Sequence, residues 1–159
     1  LHFVVEAAQL RIGVPKETAD GETRVAMVPK VIGRLLTRKV ELVVETGAGQ
    51  GAQLGDALFE EAGASIGDPW DCDVIIKVTP PTEEEIGKLR NGAVLIGFLA
   101  PLTNPDGIEA LKKAGVKAFA MESIPRISRA QGMDALSSQA NVSGYKSVLL
   151  AAQHLPRFF

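Results

Sequence analysis

Glu41-Leu42-Val43-Val44-Glu45 and Val74-Ile75-Ile76-Lys77-Val78 are the two runs that decide the fold, because Val, Ile and Leu follow one another in them without the polar alternation of a half-wet strand. An unbroken apolar run of this length belongs to a strand covered on both faces, as strands of a parallel sheet are. Shorter β-prone runs at residues 11–14, 94–97 and 116–120 flank them, with helical patterns between. Pro29 suits a first helical position ahead of Val31, Ile32, Leu35 and Leu36, which share one face. Thr82 with Glu85 forms a capping box for a helix running toward Leu89, and Asn104-Pro105 supplies an N-cap and first position for a helix ending near Ala114-Gly115. Strands alternating with helices are βαβ units. The expected fold is therefore α/β, a Rossmann-like or flavodoxin-like doubly wound, mainly parallel sheet.

From Ser137 onward, Val142, Tyr145, Val148, Leu149, Ala152 and Leu155 recur at helical spacing over a longer span than any earlier helix, so this helix is expected to leave the domain, with Pro156 kinking or ending it. Composition bounds the rest. The 159 residues are 46% hydrophobic and 23% charged with a net charge of −2, an ordinary globular composition that leaves no basic footprint for nucleic acid. Cys72 is the single cysteine, which excludes an internal disulfide framework and fits a reducing compartment. Residues 1–10 carry an acid in their apolar run and no basic flank, so they fail as a signal peptide. The longest apolar stretch, residues 93–102, contains Gly97 and Pro101 and falls far short of the roughly 20 residues that cross a bilayer. An opening Leu1 and a closing Phe158-Phe159 give the chain the look of a fragment.

Chemistry concentrates between residues 122 and 145. Arg126, Gln131 and Asp134 provide a permanent cation, an amide that donates and accepts, and a carboxylate, which together can grip a neutral carboxamide. The competing reading is a solvated loop with surface charges. Gly47-Ala48-Gly49-Gln50-Gly51-Ala52 fits the G-x-G-x-x-G/A dinucleotide pattern after a strand, yet Gly55 weakens the helix that should follow, the next strand is short and the acid about twenty residues on lies in the Asp68–Asp71 loop. Arg24, after the Asp20-Gly21 turn, and Lys77, at a strand end, sit where groups facing a cleft are found, and each also reads as half of a structural ion pair. Glu83, Glu84 and Glu85 complement the dipole of a helix N-terminus. His2 and His154 have no partners at metal-ligand spacing, so no metal is expected. Ser123, Ser128 and Ser143 lack a His and acid arranged to activate them.

The segments Arg11-Ile-Gly-Val-Pro-Lys-Glu17, Glu22-Thr-Arg-Val-Ala26, Val43-Val-Glu-Thr-Gly-Ala-Gly49 and Ile76-Lys-Val78 resemble those of the alanine dehydrogenase/pyridine nucleotide transhydrogenase family. The run from Pro125 to Ser138 is similar to the loop of the NAD(H)-binding component, the bacterial alpha subunit, of proton-translocating NAD(P) transhydrogenase. The resemblance implies that Arg126, Gln131, Asp134 and Ser137 contact the dihydronicotinamide of NADH, Arg129 being the less suitable arginine, and that hydride passes directly between two cofactors with no proton-transferring catalytic residue. It further implies that NAD(H) is bound jointly with a Rossmann subdomain lying beyond residue 159, where the true glycine fingerprint falls. NADP(H) would sit on a partner component. The assembly would be a homodimer of this component docked to membrane segments, peripheral at the cytoplasmic face of the inner membrane in a bacterium or on the matrix side in a mitochondrion.

On this basis residues 1–10 are an unassigned extension, 11–136 the family's N-terminal domain, and 137–159 the start of an interdomain linking helix. The fragment alone would be inactive. In alanine dehydrogenase the residues matching Arg24 and Lys77 bind the substrate carboxylate and carbonyl, and a catalytic His follows a Phe-Leu pair. This chain reads Phe98-Leu99-Ala100-Pro101, so the group for imine reduction is missing. An alanine dehydrogenase-like oxidoreductase and a noncatalytic binding or assembly module are the alternatives.

Overall fold

The computed structural model describes residues 9–157, which form two compact units, one up to Ala120 and one from Met121. In the first unit the chain runs β1 (Leu10–Val14), α1 (Pro29–Leu36), β2 (Val40–Val44), α2 (Asp56–Glu61), β3 (Ser65–Ile66), β4 (Val74–Ile76), α3 (Glu83–Lys88), β5 (Val94–Gly97), α4 (Pro105–Lys113) and β6 (Lys117–Ala120). The described strands make one parallel sheet in the order β3-β2-β1-β4-β5-β6. This is the Rossmann order rather than the flavodoxin one, and its direction of winding reverses between β1 and β4.

The apolar runs behave as doubly covered strands do. Leu42 and Val44 pack with Val14, Ile32 and Phe59 on one side, while Val43 joins Ile75, Leu95, Ile86 and Leu111 on the other. Cys72 lies in this second cluster as a fully buried free thiol, its pKa pushed up by that burial. Helix starts follow the capping chemistry legible in the sequence. Pro29 opens α1, and Asn104 Oδ1 accepts from Gly107 N at 3.2 Å ahead of α4, whose end passes into Gly115 at φ +70.

The capping box of α3 is complete, with Thr82 Oγ1 accepting from Glu85 N at 3.2 Å and Glu85 Oε2 accepting from Thr82 N at 2.8 Å. Thr82→Ala is expected to lower stability by about 1 kcal/mol and Thr82→Ser to restore most of the loss, read as a shift of the urea midpoint at constant slope.

Two elements depart from expectation. The strand expected over residues 74–78 ends at Ile76, because the Glu17 carboxylate takes the N–H groups of Val78 and Thr79 that would have continued the ladder. A helix does form after the glycine run: α2 starts at Asp56, immediately past Gly55, which serves as its extended N-cap rather than weakening its interior.

The second unit contains short 3-10 turns at Met121–Ser123 and Ser128–Met133, then α5 (Ala135–His154), which starts just ahead of the expected position. The helix ends at His154 and Leu155 is extended (φ −74, ψ 131), the conformation that the following Pro156 imposes on its neighbour. Val142, Tyr145, Val148 and Leu149 are all exposed. Among the described residues no helix is long and apolar enough to cross a membrane. His2 lies outside the described residues.

Candidate functional site

The loop expected to handle ligand is organised by its 3-10 turn. With three residues per turn, positions three apart eclipse one another, so Ser128, Gln131 and Asp134 fall in one row along the turn and its end. Ala130, 5% exposed, is the buried anchor of the turn. The N–H of Ala130 donates to Ile127 O at 2.9 Å and that of Asp134 to Gln131 O at 3.3 Å, closing the turn at both ends. Arg126, just upstream, completes a concavity of about 270 Å³ lined by Pro125, Arg126, Ile127, Ser128, Ala130, Gln131 and Asp134. Thus three of the four residues expected here line one surface. Its walls offer a cation, an anion, an amide and a hydroxyl over an apolar floor, an inventory able to orient a flat, uncharged amide-bearing ring.

Ser137 does not line the concavity; it holds Asp134. The carboxylate of Asp134 caps α5, Oδ1 accepting from Ser137 N at 2.9 Å and Oδ2 from Ser137 Oγ at 2.6 Å. The Ser137 hydroxyl, then its N–H, and more distantly the Arg126 charge, hold the Asp134 carboxyl below the usual carboxylate range. A depressed folded value means that the cap's contribution is present above the unfolded pKa and lost as pH falls through the folded one, so Asp134 is an anion at neutral pH. Arg129 is absent from the lining.

The second pair, Arg24 and Lys77, is engaged within the first unit. Arg24 clasps Glu22 in a fork, Nε to Oε1 at 2.8 Å and Nη2 to Oε2 at 2.6 Å, and this bond lowers the Glu22 pKa and raises that of Arg24. Lys77 is 3% exposed and stands between two buried carboxylates, Nζ lying 2.9 Å from Glu85 Oε1 and 3.4 Å from Glu17 Oε2. Glu17 also accepts from Val78 N at 2.6 Å, Thr79 N at 3.2 Å and Thr79 Oγ1 at 2.5 Å, while Glu85 takes Thr18 Oγ1 at 3.3 Å. This cluster occupies the carboxyl ends of β1 and β4, the point where a doubly wound sheet usually receives its ligand. Glu17 and Glu85 were missed as site residues by sequence reasoning: Glu85 reads simply as a helix N-terminal acid. The spacing of Thr82 and Glu85 reveals the cap but says nothing of the lysine.

The glycine run is a turn closed on its own chain. Gly47 N donates to Asp56 Oδ1 at 2.9 Å. A Cβ at Gly49 would lie 2.4 Å from Leu54 O, and one at Gly51 would lie 2.9 Å from Thr23 backbone atoms, so these glycines admit neighbouring protein rather than a pyrophosphate. A second concavity of about 520 Å³, beside Trp70, has its cations committed: Arg90 to Asp71 and Asp73, and Lys88 to Glu84. Among the described residues no cluster of His, Cys, Asp or Glu is arranged to hold a metal.

Comparison with known proteins adds identity to this geometry. The family model described as "Alanine dehydrogenase/PNT, N-terminal domain" matches residues 13–143. The NAD(P) transhydrogenase subunit alpha of Haemophilus influenzae is 44% identical over 151 residues, a match covering 93% of this chain and 30% of that protein. The alanine dehydrogenase of Bacillus subtilis is 36% identical over 150 residues, covering 92% of this chain and 39% of the enzyme. Among solved structures, the transhydrogenase from Sinorhizobium meliloti superposes with a TM-score of 0.89 at 43% identity, covering 92% of this chain and 45% of that one. The chain thus spans less than half the length of each of these relatives.

Proposed function

Since the chain belongs to the alanine dehydrogenase/PNT N-terminal domain family, we propose that it is the N-terminal part of the NAD(H)-binding component of a proton-translocating NAD(P) transhydrogenase. In this reading NADH is held with its adenosine half on a Rossmann subdomain outside this chain and its nicotinamide against Arg126, Gln131 and Asp134. Ser137 acts through Asp134, keeping the carboxylate aimed and ionised. Hydride leaves the dihydronicotinamide for NADP+ on a partner component, so this unit supplies alignment and fixed charge rather than a proton-transferring group. Helix α5 leads toward the Rossmann subdomain. The working assembly is a homodimer of this component docked to an NADP(H)-binding component and membrane segments, at the cytoplasmic face of a bacterial inner membrane or the matrix face of a mitochondrial one. The coupled step is proton movement across that membrane.

The observation that carries this reading is the gathering of Arg126, Gln131 and Asp134 on one concave surface. Two features speak against an alanine dehydrogenase. Ala100 follows Phe98-Leu99 where that chemistry calls for an acid–base group, and Lys77 and Arg24 both already bind carboxylates of their own chain. The test is an assay of the complete protein with its NADP(H)-binding partner. NADH-dependent reduction of NADP+ is expected, with no NADH-dependent amination of pyruvate; amination without transhydrogenation would overturn the proposal.

A further inference from the structure

Asn91-Gly92 forms the exposed turn between α3 and β5, and it pairs a side-chain amide with a following backbone nitrogen that no Cβ shields. The chain has two other asparagines. Asn104 precedes Pro105, which has no N–H, and Asn141 precedes Val142, whose branched side chain crowds the approach. The reaction open to Asn91 is intramolecular. The Gly92 nitrogen, having given its proton to hydroxide, bonds to Asn91 Cγ; the Cγ–Nδ2 bond breaks and ammonia leaves. Water then opens the resulting cyclic imide at either carbonyl, giving aspartate or, with the main chain rerouted through the side chain, isoaspartate. Nothing is oxidised or reduced.

The fold closes this route through Gly115, which lies between α4 and β6. Gly92 N donates to Gly115 O at 2.9 Å, so the attacking nitrogen is already engaged. The Asn91 amide rests over the bare Cα of Gly115, where a Cβ would fall 2.2 Å from Nδ2. Ala93 N donates to Arg90 O at 3.0 Å, Gly92 has φ +81 and Asn91 is not at positive φ, which together make a type II turn. The first central residue of such a turn has ψ of about +120°, which carries Gly92 N away from Asn91 Cγ. We propose that Asn91-Gly92 is a self-modifying site that Gly115 holds shut in the native fold, and that reacts when the junction of α4 and β6 opens. Among the described strands β6 is an edge, with Lys117, Ala118 and Phe119 all exposed, so this junction belongs to the less firmly held part of the sheet. Either product adds a negative charge beside Arg90. Isoaspartate also lengthens the main chain, so Gly92 N no longer aligns with Gly115 O, and each reaction leaves a permanent record of opening.

The test incubates the complete protein at mildly alkaline pH, native and in concentrated urea, beside a peptide of residues 88–95. Samples are quenched in acid and mapped by mass spectrometry for OH in place of NH2 and for isoaspartate. The unfolded chain is expected to react at Asn91 at the peptide's rate, with isoaspartate as the larger share and Asn104 and Asn141 unchanged. The native protein should react at least about tenfold more slowly, because only its open fraction is competent. Gly115→Ala puts a Cβ against the Asn91 amide at a φ of +70 that alanine resists, and should raise the native rate at least about fivefold. Hydrogen exchange at Gly92 N–H in the unsubstituted protein gives a second measure that does not depend on the variant folding: this amide should be protected at least about tenfold. Equal rates in native and unfolded protein would overturn the closure. An unfolded chain left intact while the peptide reacts would overturn the site itself. A folded Gly115→Ala that reacts at the native rate, or a Gly92 amide that exchanges freely, would overturn the part given to Gly115.

Discussion

Lys77→Met is expected to destabilise the protein by about 3–5 kcal/mol, the largest loss of any substitution considered for stability. The native ammonium is 3% exposed, and its partners Glu17 and Glu85 are 8% and 4% exposed, so water cannot replace it. Removing it leaves two carboxylates facing each other in a medium that screens them poorly. Their remaining partners, the N–H groups of Val78, Thr79 and Thr82 and the hydroxyls of Thr18 and Thr79, hold each carboxylate in place without neutralising it. Urea unfolding checks the size of the loss. A cycle with Glu85→Gln checks its cause: Lys77→Met/Glu85→Gln should be less destabilised than the sum of the two single changes by at least about 1 kcal/mol, because the second substitution removes half of the stranded charge. Additive losses would mean that Lys77 contributes through packing of its stem alone.

Gln131→Asn is expected to slow hydride transfer by about a hundredfold in the complete assembly while changing the NADH dissociation constant by less than about threefold. The substitution retains an amide and shortens its reach by one methylene. Gln131 sits in the middle of the Ser128–Gln131–Asp134 row, so an amide withdrawn there still lines the concavity but no longer meets the ring at the same point. Binding spreads over the whole dinucleotide and tolerates this, whereas transfer between two C4 atoms needs them aligned. Stopped-flow reduction of the acceptor, set beside equilibrium titration with NADH, separates the two quantities. Equal losses in rate and affinity would show that Gln131 grips rather than aligns.

Much of the first unit was legible residue by residue, because its signals are local. Val and Ile runs report coverage on both faces, and Thr82 with Glu85, Pro29 and Asn104 each announce a helix start through chemistry that spans no more than four positions. The glycine run illustrates the opposite limit. Its pattern matches a pyrophosphate cradle, yet whether backbone there faces a ligand or the chain itself depends on Thr23, Leu54 and Phe59, and only folding brings Thr23 from across the chain onto Gly51. The loop at residues 126–134 was legible as an inventory of groups but not as an arrangement. The string alone fits both a ligand-handling loop and a solvated one; the 3-10 geometry sets Ser128, Gln131 and Asp134 in a row and gives Asp134 a second duty as the cap of α5.

Sequence alone determined that this chain is a parallel α/β domain with a long final helix and a polar, amide- and charge-bearing loop ahead of it, since periodicity, capping and composition act over a few neighbouring residues. Tertiary structure decided what the charged groups do. Glu17 is distant in sequence from Lys77 and Glu85, and the three meet because β1, β4 and α3 converge at the reversal of the sheet, where burial turns ordinary surface-type residues into one mutually dependent cluster. Coulomb energy and burial depend on distance in space, and no local pattern encodes that.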